Sequence, residues 1–265
     1  MEIPVWKARM TPFKVIGNLY FVGTIPASAH LIDTGDGLIL LDSGYPETLY
    51  LVLQSIYELG FNPYDIKYIL HSHGHIDHIG GTRALAELTG AKTVIGRLDL
   101  DYVTGDRDLT FARELDMIFD CPFHPDILLD DGDTLSLGNT TIRCVHTPGH
   151  TEGTMSFFFD TEDHGQIFRV GTHGGIGDNS MRKDFLEYYG LPLSLRDDFR
   201  KGLEQLRHEH VDVFIGNHQD QCDTLGKSAR ILAGQWDAFV DPAAWPAFLD
   251  AAEARLDRML AAEKN

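Results

Sequence analysis

The chain has 265 residues, with 40 Asp and Glu against 22 Lys and Arg, a formal charge of −18. That charge excludes a general nucleic-acid binder, which needs a basic face for phosphate, and it argues against docking on anionic lipid. Apolar residues at 43% and charged residues at 23% are those of an ordinary globular chain long enough to bury its own core.

The first 42 residues read as strands. Phe13 to Val22 is broken by the turn pair Gly17-Asn18, and His30 to Asp42 by Asp36-Gly37, both good hairpin signals. Pro46 opens a helical stretch to Leu59, with Leu49, Leu53 and Ile56 on one face and Gly60 as its stop. Ile66 to Leu70 is a short apolar run, read as a buried strand. A helix follows from about Gly80 to Leu88, then a strand from Lys92 to Ile95. The second half repeats the theme. Thr140 to Val145, Met155 to Phe159 and Gln166 to Val170 read as strands. Ser194 is placed as the cap of a helix carrying Phe199, Leu203 and Leu206. Val211 to Ile215 is a last strand, and Trp245 to Leu260 a closing amphipathic helix. Two similar halves of strands and helices predict two packed sheets with helices outside. No linker interrupts them, so residues 1–265 are read as one domain.

Cys121, Cys144 and Cys222 are too few, and odd in number, for a disulfide framework; they read as free buried thiols. No basic stretch followed by an apolar run opens the chain, and no run approaches the roughly 18 apolar residues of a membrane span. A cytoplasmic protein with no membrane contact is the expectation.

The 13 histidines are not scattered. His71-Ser-His73-Gly-His75-Ile-Asp77-His78-Ile-Gly80-Gly81 crowds imidazoles and a carboxylate between a strand end and a helix start. Loops at strand carboxyl ends are where α/β folds place ligands, and these are zinc-binding side chains. Packing alone gives no reason to crowd them there. His150, in Thr147-Pro-Gly-His-Thr-Glu-Gly153, and His218, in Gly216-Asn-His218, also follow apolar strands.

With His73-x-His75-x-Asp77-His78, the Thr-Pro-Gly-His150 turn, His218 and the hairpin ending Leu40-Leu-Asp42-Ser-Gly44 in place, the sequence resembles the metallo-β-lactamase superfamily from about Val15 to Thr224. The resemblance implies a four-layer αββα sandwich with a dinuclear metal site at one edge. It implies that His73, His75 and His150 bind one zinc and that Asp77, His78 and His218 bind a second, with manganese or iron as alternative metals. His71 and His146 fall outside the pattern and are read as structural. Many hydrolases of the superfamily, glyoxalase II and the lactonases among them, resemble one another in an Asp that bridges the metals. Here that segment reads Val170-Gly-Thr172-His-Gly174, and Thr172 cannot bridge. Its absence resembles the third subclass of metallo-β-lactamases.

The implied chemistry is attack of hydroxide on a carbonyl, as in hydrolysis of a β-lactam-like cyclic amide. Asp77 is placed to orient the nucleophile and relay a proton, and Asp42 to accept from a ligand imidazole. Thr151 and Asn217 are further candidates for that supporting role. A cytoplasmic ester, lactone or thioester hydrolase of the same fold is the alternative, and a non-catalytic or redox metal protein a second one. A flavin-bearing diiron protein would need a longer chain, and a nuclease a less acidic one. The partner is a small molecule, with the oligomeric state left open. Asp99-x-Asp101 and Asp197-Asp198 are read as solvated surface charge, and Arg182-Lys183 as a possible seat for an anionic substrate group. Thr172 to Pro192 either lines a pocket or packs as an ordinary helix. Ile25, His30 and Tyr45 follow strands expected to end at the same edge.

Overall fold

Leu38-Ile-Leu-Leu41 is buried along its whole length. Ile39 and Leu41 enter one hydrophobic cluster, Leu38 and Leu40 another. A strand that is apolar on both faces needs a cover on each. The computed structural model, which describes Pro4 and residues 7–264, supplies both covers.

The strand is β4 of a seven-stranded sheet whose strands lie side by side in chain order. These are β1 (Phe13–Ile16), β2 (Leu19–Phe21), β3 (His30–Asp33), β4 (Leu38–Leu41), β5 (Ile66–Leu70), β6 (Lys92–Gly96) and β7 (Ile127–Leu129). The first four pair antiparallel, and β4 through β7 pair parallel. The second sheet holds β8 (Thr134–Leu137), β9 (Thr140–His146), β10 (Met155–Asp163), β11 (Gln166–Thr172) and β12 (Val213–Phe214), in the order β12-β11-β10-β9-β8. Ile39, Leu41 and Leu70 of the first sheet share a core with Cys144, Phe157 and Val170 of the second. Each such buried side chain contributes about 1.5–3 kcal/mol.

The helices are α1 (Leu49–Glu58), α2 (Ile76–Ile79), α3 (Thr82–Thr89), α4 (Leu100–Thr104), α5 (Lys183–Tyr189), α6 (Leu195–Leu206), α7 (Thr224–Leu232) and α8 (Ala244–Ala262). Val52 and Ile56 of α1 and Leu85 of α3 cover the outer face of the first sheet at Leu31, Leu40 and Ile69. On the second sheet α6 and α8 do the same with Phe199, Leu203, Trp245 and Phe248. Phe214 of β12 lies 4.4 Å from the Phe248 ring, and Trp245 Nε1 donates to the Leu206 carbonyl. The αββα layering read from the sequence is therefore the fold. No helix among the described residues is long and apolar enough to cross a membrane.

Several local expectations change. The helix expected from Gly80 is preceded by α2, because Ile76 and Ile79, one turn apart, are both fully buried and pin a helical turn inside the histidine segment. Ser194 stands before α6 but forms no capping bond through its side chain. Strands β7 and β8 and helices α4 and α7 had no sequence counterpart. All three cysteines are free, Cys144 and Cys222 buried and Cys121 half-buried.

The parallel run of the first sheet decides the site. Asp42, the histidine segment and Asp99 follow β4, β5 and β6, three adjacent strands pointing the same way. His150 follows β9, and His218 follows β12. Strand ends from both sheets deliver these residues to one edge.

Candidate metal centre

The backbone of the β5 loop is tied to its neighbours before any side chain acts. The Asp42 N–H donates to the Leu70 carbonyl and the His71 N–H to the Val94 carbonyl, each at 2.9 Å. Beyond these ties His73, His75, Asp77 and His78 turn inward, all buried. One donor atom from each of His73, His75 and His150 lies within 4.8 Å of the others, and the same holds for His73, Asp77 and His78. Asp77 Oδ2 is 3.1 Å from His78 Nε2 and 3.4 Å from His218 Nε2. All six residues singled out in the sequence converge.

The far side of each imidazole fixes which nitrogen faces the centre. His78 Nδ1 donates to Asp42 Oδ2 at 2.9 Å, His150 Nδ1 to the Gly177 carbonyl at 2.8 Å, and His218 Nδ1 to the Pro26 carbonyl at 2.8 Å. A neutral imidazole that donates through Nδ1 presents a bare lone pair at Nε2. His78 Nε2 and His218 Nε2 face one another at 3.3 Å, with Asp77 Oδ2 within 3.4 Å of both, so a proton or a metal ion held among them satisfies the contact. His73 Nε2 is likewise buried with no hydrogen-bond partner. An orphaned buried nitrogen, two facing imidazole nitrogens and a carboxylate make a donor set that fits zinc.

The charges agree. Burial, with the neighbouring imidazoles, drives His73 and His75 well below the usual histidine range and takes His150 to about 4. These three are neutral at pH 7, the form that ligation requires. Burial also opposes a charge on His78, yet Asp77 and Asp42 beside it raise its pKa to about 10, so the two carboxylates favour positive charge at this position, from a proton or from a metal ion. Against the cost of burial, His78, His218 and His75 hold the Asp77 carboxyl well below the ordinary carboxylate range.

Asp42 takes the role expected of it. Besides His78, it accepts from the Ser72 N–H at 2.8 Å and the Ser72 hydroxyl at 2.7 Å. Its backbone is left-handed, with φ 60°, which Asp and Asn tolerate better than most residues. Thr151 and Asn217 do not support an imidazole directly: Thr151 donates to Asp99, and Asn217 Nδ2 to the Gly174 carbonyl. His71 is structural, held by the Val94 carbonyl and Thr82, and so is His146, which bonds the Glu152 carbonyl.

One expectation is overturned. Asp99 is fully buried, not solvated. It accepts from the backbone of Gly74 at 2.8 Å and Gly153 at 2.6 Å and from the Thr151 hydroxyl at 2.7 Å. Burial pushes its carboxyl up to about 7 against these three donors. Asp101 and Asp197 are exposed as expected, and Asp198 is half-buried. Sequence reasoning also missed the Gly177 and Pro26 carbonyls and Ser180, whose hydroxyl donates to the His150 carbonyl at 2.7 Å. Backbone acceptors carry no signature in a sequence.

A cavity of about 290 Å³ opens over the centre, walled by His75, Asp77, His150 and His218 and by Tyr45, Phe111 and Ile176. The 172–192 segment does both things expected of it. Gly175 and Gly177 press on the His150 ring, where a Cβ would stand 2.3 and 2.6 Å from ring carbons, while Phe185 and Leu186 of α5 pack inward. Arg182 and Lys183 are paired with Asp184 and Glu187 on the surface. His30 is buried on β3 against the Phe21 ring and does not line this cavity.

Residues 22–164, more than half of the chain, match the family described as the metallo-beta-lactamase superfamily. The chain belongs to that superfamily. Among solved structures it is similar to the native FEZ-1 metallo-beta-lactamase from Legionella gormanii, at 28% identity and a TM-score of 0.90 over 100% of both chains. It is also similar to LRA-12, a class B3 di-zinc metallo-beta-lactamase from an Alaskan soil metagenome, at 26% identity and a TM-score of 0.86 over 98% of each. A curated relative, an N-acyl homoserine lactonase of Bacillus thuringiensis, is 24% identical over 85% of this chain and 90% of its own length. The protein is a hydrolase of the metallo-beta-lactamase type, with class B3 enzymes as its structural neighbours.

Proposed function

We propose that this protein is a dinuclear zinc hydrolase that opens a cyclic amide of the β-lactam kind. His73, His75 and His150 form one zinc site, Asp77, His78 and His218 the other, and residues 1–265 act as one domain on a small molecule. The observation that carries this reading is the orientation of the rings. Asp42, Gly177 and Pro26 hold the Nδ1 atoms of His78, His150 and His218 from outside, which turns their Nε2 atoms toward one shared space.

Bound there, zinc supplies Lewis acidity and a water nucleophile ionising near pH 7. The chain does the rest. Asp77 stands at the cavity wall and is kept ionised by its histidine neighbours, so it accepts a hydrogen bond from the attacking water and aims it. Because it is a weak base, a proton it takes passes readily to the leaving nitrogen. Tyr45, Phe111 and Ile176 exclude bulk water from the reacting carbonyl and offer an apolar wall to the ring. Thr172, at the end of β11, places no carboxylate between the two sites, which favours the lactamase-like reading over a lactonase-like one.

The second reading, a lactone, ester or thioester as substrate, is favoured by the lactonase relative. A side-by-side panel separates them. Zinc-loaded protein is expected to hydrolyse a chromogenic cephalosporin faster than a homoserine lactone or a thioester, and His73→Ala to lose that activity. Turnover of the lactone or thioester with an inert cephalosporin establishes the second reading. Inertness toward all three in zinc-loaded protein defeats both.

A further inference from the structure

We infer that Asp99 is a positioning residue that locks the two loops carrying the three-histidine site to one another. The inference rests on the zinc-site reading above and deepens it. Asp99 follows β6, its side chain does not cap the helix it precedes and pairs with no cation among the described residues, although it is fully buried. A buried carboxylate without a cation is costly, so its three donors matter. One belongs to Gly74, between His73 and His75. The other two belong to Thr151 and Gly153, directly after His150. One carboxylate thus joins loops 75 residues apart in the chain, where His75 Nδ1 and His150 Nε2 stand 3.0 Å from each other.

The approach has been kept free of side chains. A Cβ at Gly153 would lie 2.4 Å from the Asp99 nitrogen and 2.7 Å from its Oδ1. A Cβ at Gly74 would lie 2.6 Å from Tyr102 Cβ. Asp99 touches no imidazole, so it acts through placement alone. Its three donors flank His73, His75 and His150, and none of them adjoins Asp77, His78 or His218, so its effect is expected to fall mainly on the three-histidine site.

The test is a cobalt titration of metal-stripped full-length protein, followed by the ligand-field spectrum, for wild type, Asp99→Ala, Thr151→Val, Thr151→Ser and His150→Ala. The three-histidine site is expected to bind cobalt about 10–100-fold more weakly in Asp99→Ala, the range seen when supports of metal ligands are removed. Thr151→Val is expected to weaken it less, and Thr151→Ser to restore it, while the Asp77/His78/His218 step stays where it was. If Asp99→Ala fails to fold by circular dichroism, the Thr151 pair decides. Should His150→Ala lose one cobalt step while Asp99→Ala and Thr151→Val titrate like wild type, the inference is wrong and the zinc sites stand. Should His150→Ala itself titrate like wild type, the zinc-site reading fails instead. A loss of both steps in Thr151→Val, unrelieved in Thr151→Ser, marks a general packing defect and also overturns the inference.

Discussion

The β5 loop has a buried carboxylate on each flank, and the two act differently. On the β4 side Asp42 bonds directly to the His78 ring, so it sets that imidazole's tautomer and raises its affinity for positive charge. On the β6 side Asp99 bonds only to N–H and O–H groups beside the histidines, so it sets distances and leaves their basicity alone. The same chemical group serves one half of the centre by charge and the other half by geometry. The two ligand sets proposed above match this division. Three neutral imidazoles need only be placed, whereas a carboxylate and two imidazoles are coupled electrostatically.

The largest effect expected from breaking this pattern is loss of a ligand. His150→Ala and His218→Ala each remove one corner of a different site. If that forfeits about 4 kcal/mol of transition-state stabilisation, kcat/KM falls roughly 10³-fold, measured on the best substrate of the panel. Next come the flanking carboxylates. Asp42→Ala orphans the Ser72 and His78 donors at about 1–3 kcal/mol each, and it places Ala in a left-handed conformation. Asp42→Asn keeps the backbone permissible and isolates the lost charge. Zinc competition against a chromogenic chelator should show the Asp77/His78/His218 site about 10–100-fold weaker in both variants, with the larger drop in melting temperature in Asp42→Ala.

His30 gives a smaller signal from the Asp42 side. Burial drives its pKa down to about 4, although Asp42 pulls it up. The unfolded chain takes up a proton near 6.5 that the native chain refuses, so stability falls as pH drops from about 6.5 to 4 and levels off below that. His30→Leu should flatten the pH dependence of metal-free protein in that window by at most about 1.4 kcal/mol per pH unit, read from denaturant melts. An unchanged slope would remove His30 from the account. The smallest effect is Ser180→Ala. It removes the hydroxyl bonded to the His150 carbonyl and should weaken only the three-histidine site, by about 1 kcal/mol or several-fold in zinc affinity.

Much of this was legible from residue order alone. The layers followed from apolar runs such as Leu38–Leu41, and all six centre-facing side chains from the histidine segment, His150 and His218. Asp42 was legible because it ends a clear strand within a recognisable motif. Asp99 was not, because Asp-x-Asp beside Arg97 reads as solvated charge until β6 is known to lie next to β5. Short strands such as Ile127–Leu129 escaped because three apolar residues carry no period. The His150 support escaped because a glycine carbonyl has no sequence signal.

The central claim is that two distinct zinc sites share this edge, and zinc content measures it directly. Purified zinc-loaded wild type should hold close to two zinc ions per chain, and His150→Ala and His218→Ala close to one each under the same chelator wash. One zinc in the wild type, or two in either folded variant, would contradict the account.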